Sequence, residues 1–249
     1  MIPKIIHYCW FGRNPKSELI EGCIKSWEKF CPDFEIIEWN EKNSKPYQNK
    51  FFKDALRKKK YAFASDCIRV QILYELGGIY LDTDMLLLMS IEKLLCNNFF
   101  TGFEVNNRPN FALFGAVPKH HLIKKMVSFY DETEFNEFSL PVITHVFKEI
   151  ITIENLIEKD KIFDADYFYP LPYEKKDYDY EDYITKNTIG VHLWNHSWKE
   201  DSLEGISYFI SSLRKVIIDY FFYGYSRTYF IRYGRGFARQ IYLWLKKKS

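Results

Sequence analysis

Two carboxylates one residue apart, Asp82 and Asp84, close the segment Gly77-Gly78-Ile79-Tyr80-Leu81-Asp82-Thr83-Asp84. Side chains at i and i+2 of an extended chain point to the same side, so both acids face one way. Such a pair at the end of an apolar strand suits a hard divalent cation, Mg²⁺ or Mn²⁺. These ions favour oxygen ligands and are commonly held by one or two carboxylates together with substrate phosphates. The implied chemistry is work on a nucleoside diphosphate that carries a further group. An isolated Asp-x-Asp is more often a solvated turn, and a second copy, Asp177-Tyr178-Asp179, lies in a Tyr/Asp-rich stretch with no strand before it. The first copy stands apart because an apolar strand delivers it and a helix with unusual polar residues precedes it.

That helix contains Ser65-Asp66-Cys67-Ile68-Arg69. Asp66 and Arg69, at i and i+3, share a face. Read plainly they are a surface ion pair. Read functionally, Arg69 donates to a phosphate or sugar hydroxyl and Asp66 accepts from sugar hydroxyls, both at the edge of the sheet near Asp82. Further on, Val191-His192-Leu193-Trp194-Asn195-His196-Ser197-Trp198 gathers His, Trp, Asn and Ser in a density that suits a loop closing over a polar ligand. Trp10, after the first apolar run, is placed either to stack on a base or to fill the core.

The elements that must position these groups follow from hydrophobic spacing. Ile2 to Trp10 reads as a buried strand, 17–30 as a helix with Leu19, Cys23, Ile24, Trp27 and Phe30 on one side, and 34–39 as a second strand after the Pro32-Asp33 turn. Strand, helix, strand is the opening of a Rossmann-like α/β sheet. Residues 49–59 and 61–76 read as helices, the second stopped by Gly77-Gly78 as a glycine C-cap. Strands are expected near 98–104 and 111–117, helices near 119–130 and 140–158, an irregular stretch over 163–183, a short strand over 188–194, and helix over 204–249.

Composition sets the outer bounds. A chain of 249 residues, 47% hydrophobic and 19% aromatic, is long and apolar enough for one large domain and excludes intrinsic disorder. From Ser211 onward nine Lys/Arg face one acid, Asp219, a balance of +8; of 35 basic and 33 acidic residues in all, this leaves −6 for residues 1–210. Five cysteines, odd in number and without zinc-ligand spacing, suggest free thiols in a reducing compartment. Neither a secretory signal nor a bilayer-spanning apolar run is recognisable, so a cytoplasmic location is expected. In the tail, Tyr229, Phe230, Phe237, Tyr242 and Trp244 interleave with the basic residues, which fits the inner face of an anionic membrane. A helix packed on the body with solvated charges is the plainer alternative. Nothing else supports nucleic-acid binding, and none is expected.

Taken in order, the motifs resemble glycosyltransferase family 32. Ile2-Pro3-Lys4-Ile5-Ile6-His7-Tyr8-Cys9-Trp10-Phe11-Gly12 is similar to its opening and Pro32-Asp33-Phe34-Glu35 with Trp39-Asn40 to its second strand. Ala64-Ser65-Asp66-x-x-Arg69 followed by Leu73-Tyr74-x-x-Gly77-Gly78-Ile79-Tyr80-Leu81-Asp82-Thr83-Asp84 is similar to its central signature, and His192 through Ser197-Trp198 to its closing motif. The family holds yeast initiating mannosyltransferases and bacterial capsule and lipopolysaccharide sugar transferases, and its core is similar to the clostridial glucosylating toxins. The resemblance implies a GT-A type fold with a mixed central sheet over residues 1–203, and 204–249 as a basic, aromatic helical extension. It also implies retaining transfer of a hexose or N-acetylhexosamine from a nucleotide sugar, UDP-linked by preference, dependent on Mn²⁺ or Mg²⁺. The acceptor would be a saccharide, lipid-linked at the membrane, in surface polysaccharide assembly.

Carried over by position, Trp10 would stack on the base and Asn40 would touch the nucleoside. Ser65, Asp66 and Arg69 would hold donor sugar and phosphate, and Tyr80 and Asp82 would meet the ribose. Asp84, Asp82 and His192 would hold the metal, Asn110 would face the donor sugar, and Ser197 and Trp198 would clasp the diphosphate. Asp66, Arg69, Asp82 and Asp84 form the catalytic set. Ser139-Leu140-Pro141 departs from the Gly-Pro of many relatives, on the acceptor side. The rival readings are a metal-dependent nucleotide-sugar hydrolase or nucleotidyltransferase, and a non-catalytic membrane-peripheral scaffold with a relic donor site.

Overall fold

Short apolar runs bounded by Gly, Pro and Asp alternate with longer runs of helical spacing, and the elements follow that alternation. The computed structural model describes residues 1–105, 107–138, 141, 143–195 and 206–248. The order is β1 (Ile5–Cys9), α1 (Glu18–Phe30), β2 (Glu35–Trp39), α2 (Lys50–Arg57), α3 (Tyr61–Leu76), β3 (Gly78–Leu81), β4 (Met85–Leu87), β5 (Phe99–Val105), β6 (Arg108–Ala116), α4 (His121–Glu132), α5 (Ile143–Phe147), β7 (Asp160–Phe163), α6 (Ala165–Phe168), β8 (Gly190–His192), α7 (Ile206–Phe222) and α8 (Arg227–Lys248).

The main sheet runs β2-β1-β3-β6-β5-β7, and β4 with β8 forms a separate two-stranded ribbon. β1 is parallel to β2 and β3, whereas β6 is antiparallel to both β3 and β5. The sheet is therefore mixed, as expected. From β1 the chain crosses to β2 on one side and then returns to β3 on the other, which makes the carboxyl ends of β1 and β3 a topological switch point. Open α/β sheets bind ligands in the crevice at such a point. Trp10 follows β1, Asn40 follows β2, and Asp82 and Asp84 follow β3.

Two compact units divide the chain: Met1–Glu132 with Pro141–His196, and Thr133–Leu140 with Ser197–Ser249. The second unit thus takes in a segment from the middle of the sequence as well as the C-terminal helices. Phe138 packs its ring against Tyr208, Phe209, Tyr229 and Tyr233.

The helix expected over 140–158 forms only as α5. Thr152 adopts extended backbone, followed by a short 3₁₀ turn at Ile153–Asn155. The run Ile150-Ile151-Thr152-Ile153 is wholly β-branched, and branched Cβ atoms lose rotamer freedom against a preceding helical turn. β4 and β7, of three and four residues, are too short to show a period and escape a sequence reading.

α3 is buried continuously from Cys67 to Leu73 and stops at Gly77, whose N–H donates to the Leu73 carbonyl. Gly77 and Gly78 have φ of +67° and +102°, and a Cβ on Gly78 would lie 2.8 Å from the Ile5 oxygen and 2.9 Å from His7 Nε2. His7 locks this turn. The Trp39 indole N–H donates to its Nδ1 at 3.1 Å, so Nε2 carries the proton and donates to the Gly77 carbonyl at 2.9 Å.

Burial pushes the His7 pKa down to about 4 against the opposing Gly77 hydrogen bond. An unfolded histidine titrates near 6.5. Below that pH the unfolded chain takes up a proton that the folded protein does not, so this contribution is complete above 6.5 and is lost as pH falls towards 4. The loss is expected to be on the order of 3 kcal/mol. Urea unfolding at pH 7 and pH 5 should show a steeper decline for the native chain than for His7→Gln; equal declines would refute this account of the turn.

Candidate donor and metal site

The antiparallel register of β3 with β6 pairs Leu81 with Leu113, and the Asp82 N–H donates to the Ala112 carbonyl at 2.7 Å. Continuing that register brings Asn110, near the start of β6, to the same sheet edge as Asp82 and Asp84. α3 delivers Ser65, Asp66 and Arg69 to this edge.

Arg69 is buried, with 5% of its surface exposed, and holds the edge together. Its Nη2 lies 3.0 Å from both Asp66 Oδ1 and Asp82 Oδ1. Nη1 donates to the Phe111 carbonyl at 3.0 Å and to Asp82 Oδ2 at 3.4 Å, and Nε donates to the Ser65 carbonyl at 3.3 Å. Nε and Nη1 thus make the three hydrogen bonds, while Nη2 faces both carboxylates as an ion pair. The structure places Arg69 between Asp66 and Asp82, 3.0 Å from each, where it positions both carboxylates. Tyr80 is 1% exposed, with its ring 4.4 Å from the Arg69 guanidinium carbon, so it supports Arg69 from below.

The two acids experience different fields. Burial, offset by Arg69, raises the Asp66 pKa to about 6. Asp82 is also raised, by burial first and by the neighbouring Asp84 charge, against Arg69. Asp84 is held below the ordinary carboxylate range, because the charge and hydrogen bond of His192 outweigh its burial. His192 is correspondingly raised, Asp84 outweighing burial.

Ligand atoms of Asp82, Asp84 and His192 all lie within 4.8 Å of one another. β4 and β8 create this juxtaposition: Met85 pairs with His192, setting the imidazole Nε2 3.2 Å from Asp84 Oδ1. The Asn195 N–H donates to Asp84 Oδ2 at 2.9 Å and fixes the carboxylate from the other side. His192 Nδ1 is buried and finds no hydrogen-bond partner among the described residues. Two converging carboxylates and an imidazole fit a divalent cation.

Trp10 is half-buried at the end of β1, its indole N–H donating to the Asn14 carbonyl at 2.7 Å, and its backbone N–H donates to the Trp39 carbonyl beside Asn40. Asn40 is occupied in its own turn, accepting from Lys42 N–H and donating to Glu38. Asn110 accepts from the Ala112 N–H and donates to Glu104 Oε2 at 2.9 Å, while Arg108 holds Glu104 Oε1 at 2.7 Å. Sequence spacing does not single out Glu104; only the β5–β6 pairing shows it beside Asn110. Ser197 and Trp198 lie outside the described residues, as do Ser139 and Leu140.

A second cluster, His120, His121 and Asp160, also converges within 4.8 Å. Leu122 N–H donates to His120 Nδ1 at 3.4 Å and His120 Nε2 donates to Asp160 Oδ1 at 3.0 Å, so both nitrogens of that ring are engaged. It ties the start of α4 to β7 and offers no free lone pair on His120.

Residues 17–101 match the family described as the glycosyltransferase sugar-binding region containing a DXD motif. Residues 119–210 match the α-1,4-glycosyltransferase conserved region. Both matched regions are those of glycosyltransferases, one of them a DXD family. The mixed sheet agrees with the α/β architecture that the resemblance to family 32 implies, and family 32 is consistent with both matches. Lactosylceramide 4-α-galactosyltransferase of Rattus norvegicus is 27% identical over 57% of this chain and 43% of its own length. α-1,4-N-acetylglucosaminyltransferase of Homo sapiens is 25% identical over 55% of this chain and 44% of its own. Mannosyl phosphorylinositol ceramide synthase CSH1 of Saccharomyces cerevisiae is 28% identical over 51% and 35%. The aligned part is less than half the length of each of these relatives.

Proposed function

We propose that this protein is a glycosyltransferase that moves a hexose or N-acetylhexosamine, with retention, from a UDP-sugar to a saccharide carried on a lipid, in the assembly of a surface glycan. The observation that carries the reading is the convergence of Asp82, Asp84 and His192 beside an Asp66–Arg69–Asp82 network at the switch point of the sheet. A divalent ion held by Asp82, Asp84 and His192 would supply positive charge where a leaving diphosphate accumulates negative charge. The chain's own contribution is rigidity. Arg69 fixes the Asp82 carboxylate, Asn195 and His192 fix that of Asp84, and Asp66 presents its remaining acceptor capacity to sugar hydroxyls.

Two relatives carry α-linkage in their names, and an α product from an α-linked donor retains configuration. Two have ceramide-borne acceptors in theirs, which supports a lipid-linked acceptor here.

The test is nucleotide release by the purified chain from a panel of UDP- and GDP-sugars with Mn²⁺, with and without glycolipid acceptors. Release from one donor that requires an acceptor, stops with EDTA and returns with added Mn²⁺ is the expected result. Release indifferent to any acceptor would make the protein a hydrolase. No calorimetric binding of any nucleotide sugar with Mn²⁺ would leave the scaffold reading.

A further inference from the structure

The second compact unit carries more apolar surface than its own packing uses. α7 and α8 pack through Phe209, Val216, Tyr229 and Tyr233, and the Tyr229 hydroxyl donates to Asp219 at 2.9 Å. Asp219, 1% exposed, is the one acid between residues 206 and 248. Outside this buried seam α7 presents a second apolar stripe to solvent. Ile210, Leu213, Ile217, Tyr220 and Phe221 recur at intervals of three, four, three and one, which places them along one face. α8 does the same with Phe230, Ile231, Ile241, Tyr242 and Leu245. Along one edge of that stripe run Arg232, Arg235, Arg239 and Lys246, all exposed and spaced for a single side. At the turn between the helices, Phe221 and Phe222 are 71% and 80% exposed.

We infer that the α7–α8 hairpin docks on an anionic lipid bilayer, with its exposed apolar stripes at the acyl boundary and its arginine edge on the lipid phosphates. Three observations select this occupant. The exposed charge is of one sign, complementary to phosphate headgroups. A second copy of the chain would set one basic edge against another. No described helix is long and apolar enough to cross a membrane, so the fit is to the interface and not to a span. Tyr242 and Trp244, exposed near the end of α8, are residue types that favour the headgroup level. The inference deepens the proposed use of a lipid-borne acceptor and rests on that reading for its purpose, though not for its evidence.

Co-sedimentation of the full chain with phosphatidylcholine vesicles, with and without 30 mol% (roughly, as in anionic leaflets) phosphatidylglycerol, tests it without any donor sugar. The chain should partition onto the anionic vesicles, and less so in high salt. Arg232→Gln with Arg235→Gln and Arg239→Gln should lower the partition coefficient about 100-fold. Phe221→Ser with Phe222→Ser should lower it at least about 10-fold, while leaving the circular dichroism spectrum and transfer to a water-soluble acceptor unchanged, since both side chains face solvent. Equal binding to neutral vesicles, no binding at all, or binding indifferent to these variants would overturn the inference. A concentration-dependent dimer that Phe221→Ser with Phe222→Ser dissolves would assign the surface to a second copy instead. Because binding is read without catalysis, it stands or falls separately from the transferase reading.

Discussion

Asp84→Asn is expected to lower kcat for nucleotide release by about 10³-fold, because polarisation by a bound metal is worth several kcal/mol of transition-state stabilisation. The substitution changes little else. Asparagine keeps the side-chain shape, and its oxygen still accepts from the Asn195 N–H that holds Asp84 Oδ2 at 2.9 Å. It loses the negative charge that faces His192 Nε2 at 3.2 Å and that lies close enough to Asp82 to raise its pKa. The lost ion pair costs stability, and removing the repulsion and the burial of a charge restores some of it. The net change in unfolding free energy should therefore stay within about 1 kcal/mol. Thermal unfolding separates the two effects. Mn²⁺ is expected to stabilise the native chain by binding the folded state, and the same addition should leave Asp84→Asn almost unmoved. A variant that keeps more than about a tenth of native kcat, or responds to Mn²⁺ as the native chain does, would remove Asp84 from the metal set.

How much of this site the sequence discloses depends on whether the contact is made by a local pattern or across the chain. The approach to Asp82 is legible because it is local: an apolar helix, a double-glycine stop and a four-residue strand leave few other ways to fold. Asp66 and Arg69 share a face by helical spacing alone. By contrast, His192 and Asp84 are 108 positions apart, and the two short strands that join them show no periodicity. Residue type and resemblance nominate His192; only the β4–β8 register brings it to 3.2 Å. The anchoring of Arg69 is hidden for another reason. Two of its acceptors are the backbone carbonyls of Ser65 and Phe111, which any residue would supply. Glu104 escapes because its neighbours Arg108 and Asn110 meet it through the β5–β6 pairing. In the tail, the excess of basic and aromatic residues is plain from composition, but which face is buried is not. The same sequence serves a helix packed on both sides, and only the exposure of Ile210, Leu213 and Phe221 separates the two cases.

Arg69→Met is expected to cost about 3–5 kcal/mol of stability at pH 8, the usual consequence of removing one partner from a buried charge network. Methionine fills much of the volume, so the penalty is electrostatic: Asp66 and Asp82, 13% and 28% exposed at their side chains, lose the cation that faces both. The sign of the pH dependence follows. Asp66 already titrates near 6 because of burial, with Arg69 holding it down. Without Arg69 its pKa rises further, and the folded variant escapes the unpaired charge by binding a proton. The penalty should therefore be largest above that raised pKa and shrink as pH falls through it, so urea unfolding at pH 8 and pH 5 should differ in ΔΔG between variant and native chain. Pairing Arg69→Met with Asp66→Asn should recover part of the loss at pH 8 and remove much of this pH dependence. Arg69→Lys should fall between the two, since an ammonium lacks the planar fork that meets Asp66, Asp82 and the Phe111 carbonyl at once. A penalty below about 1 kcal/mol, the ordinary worth of an exposed pair, would mean that water screens these carboxylates. In that case Arg69 would be free to turn towards a phosphate, and its role would be contact with the donor and not positioning.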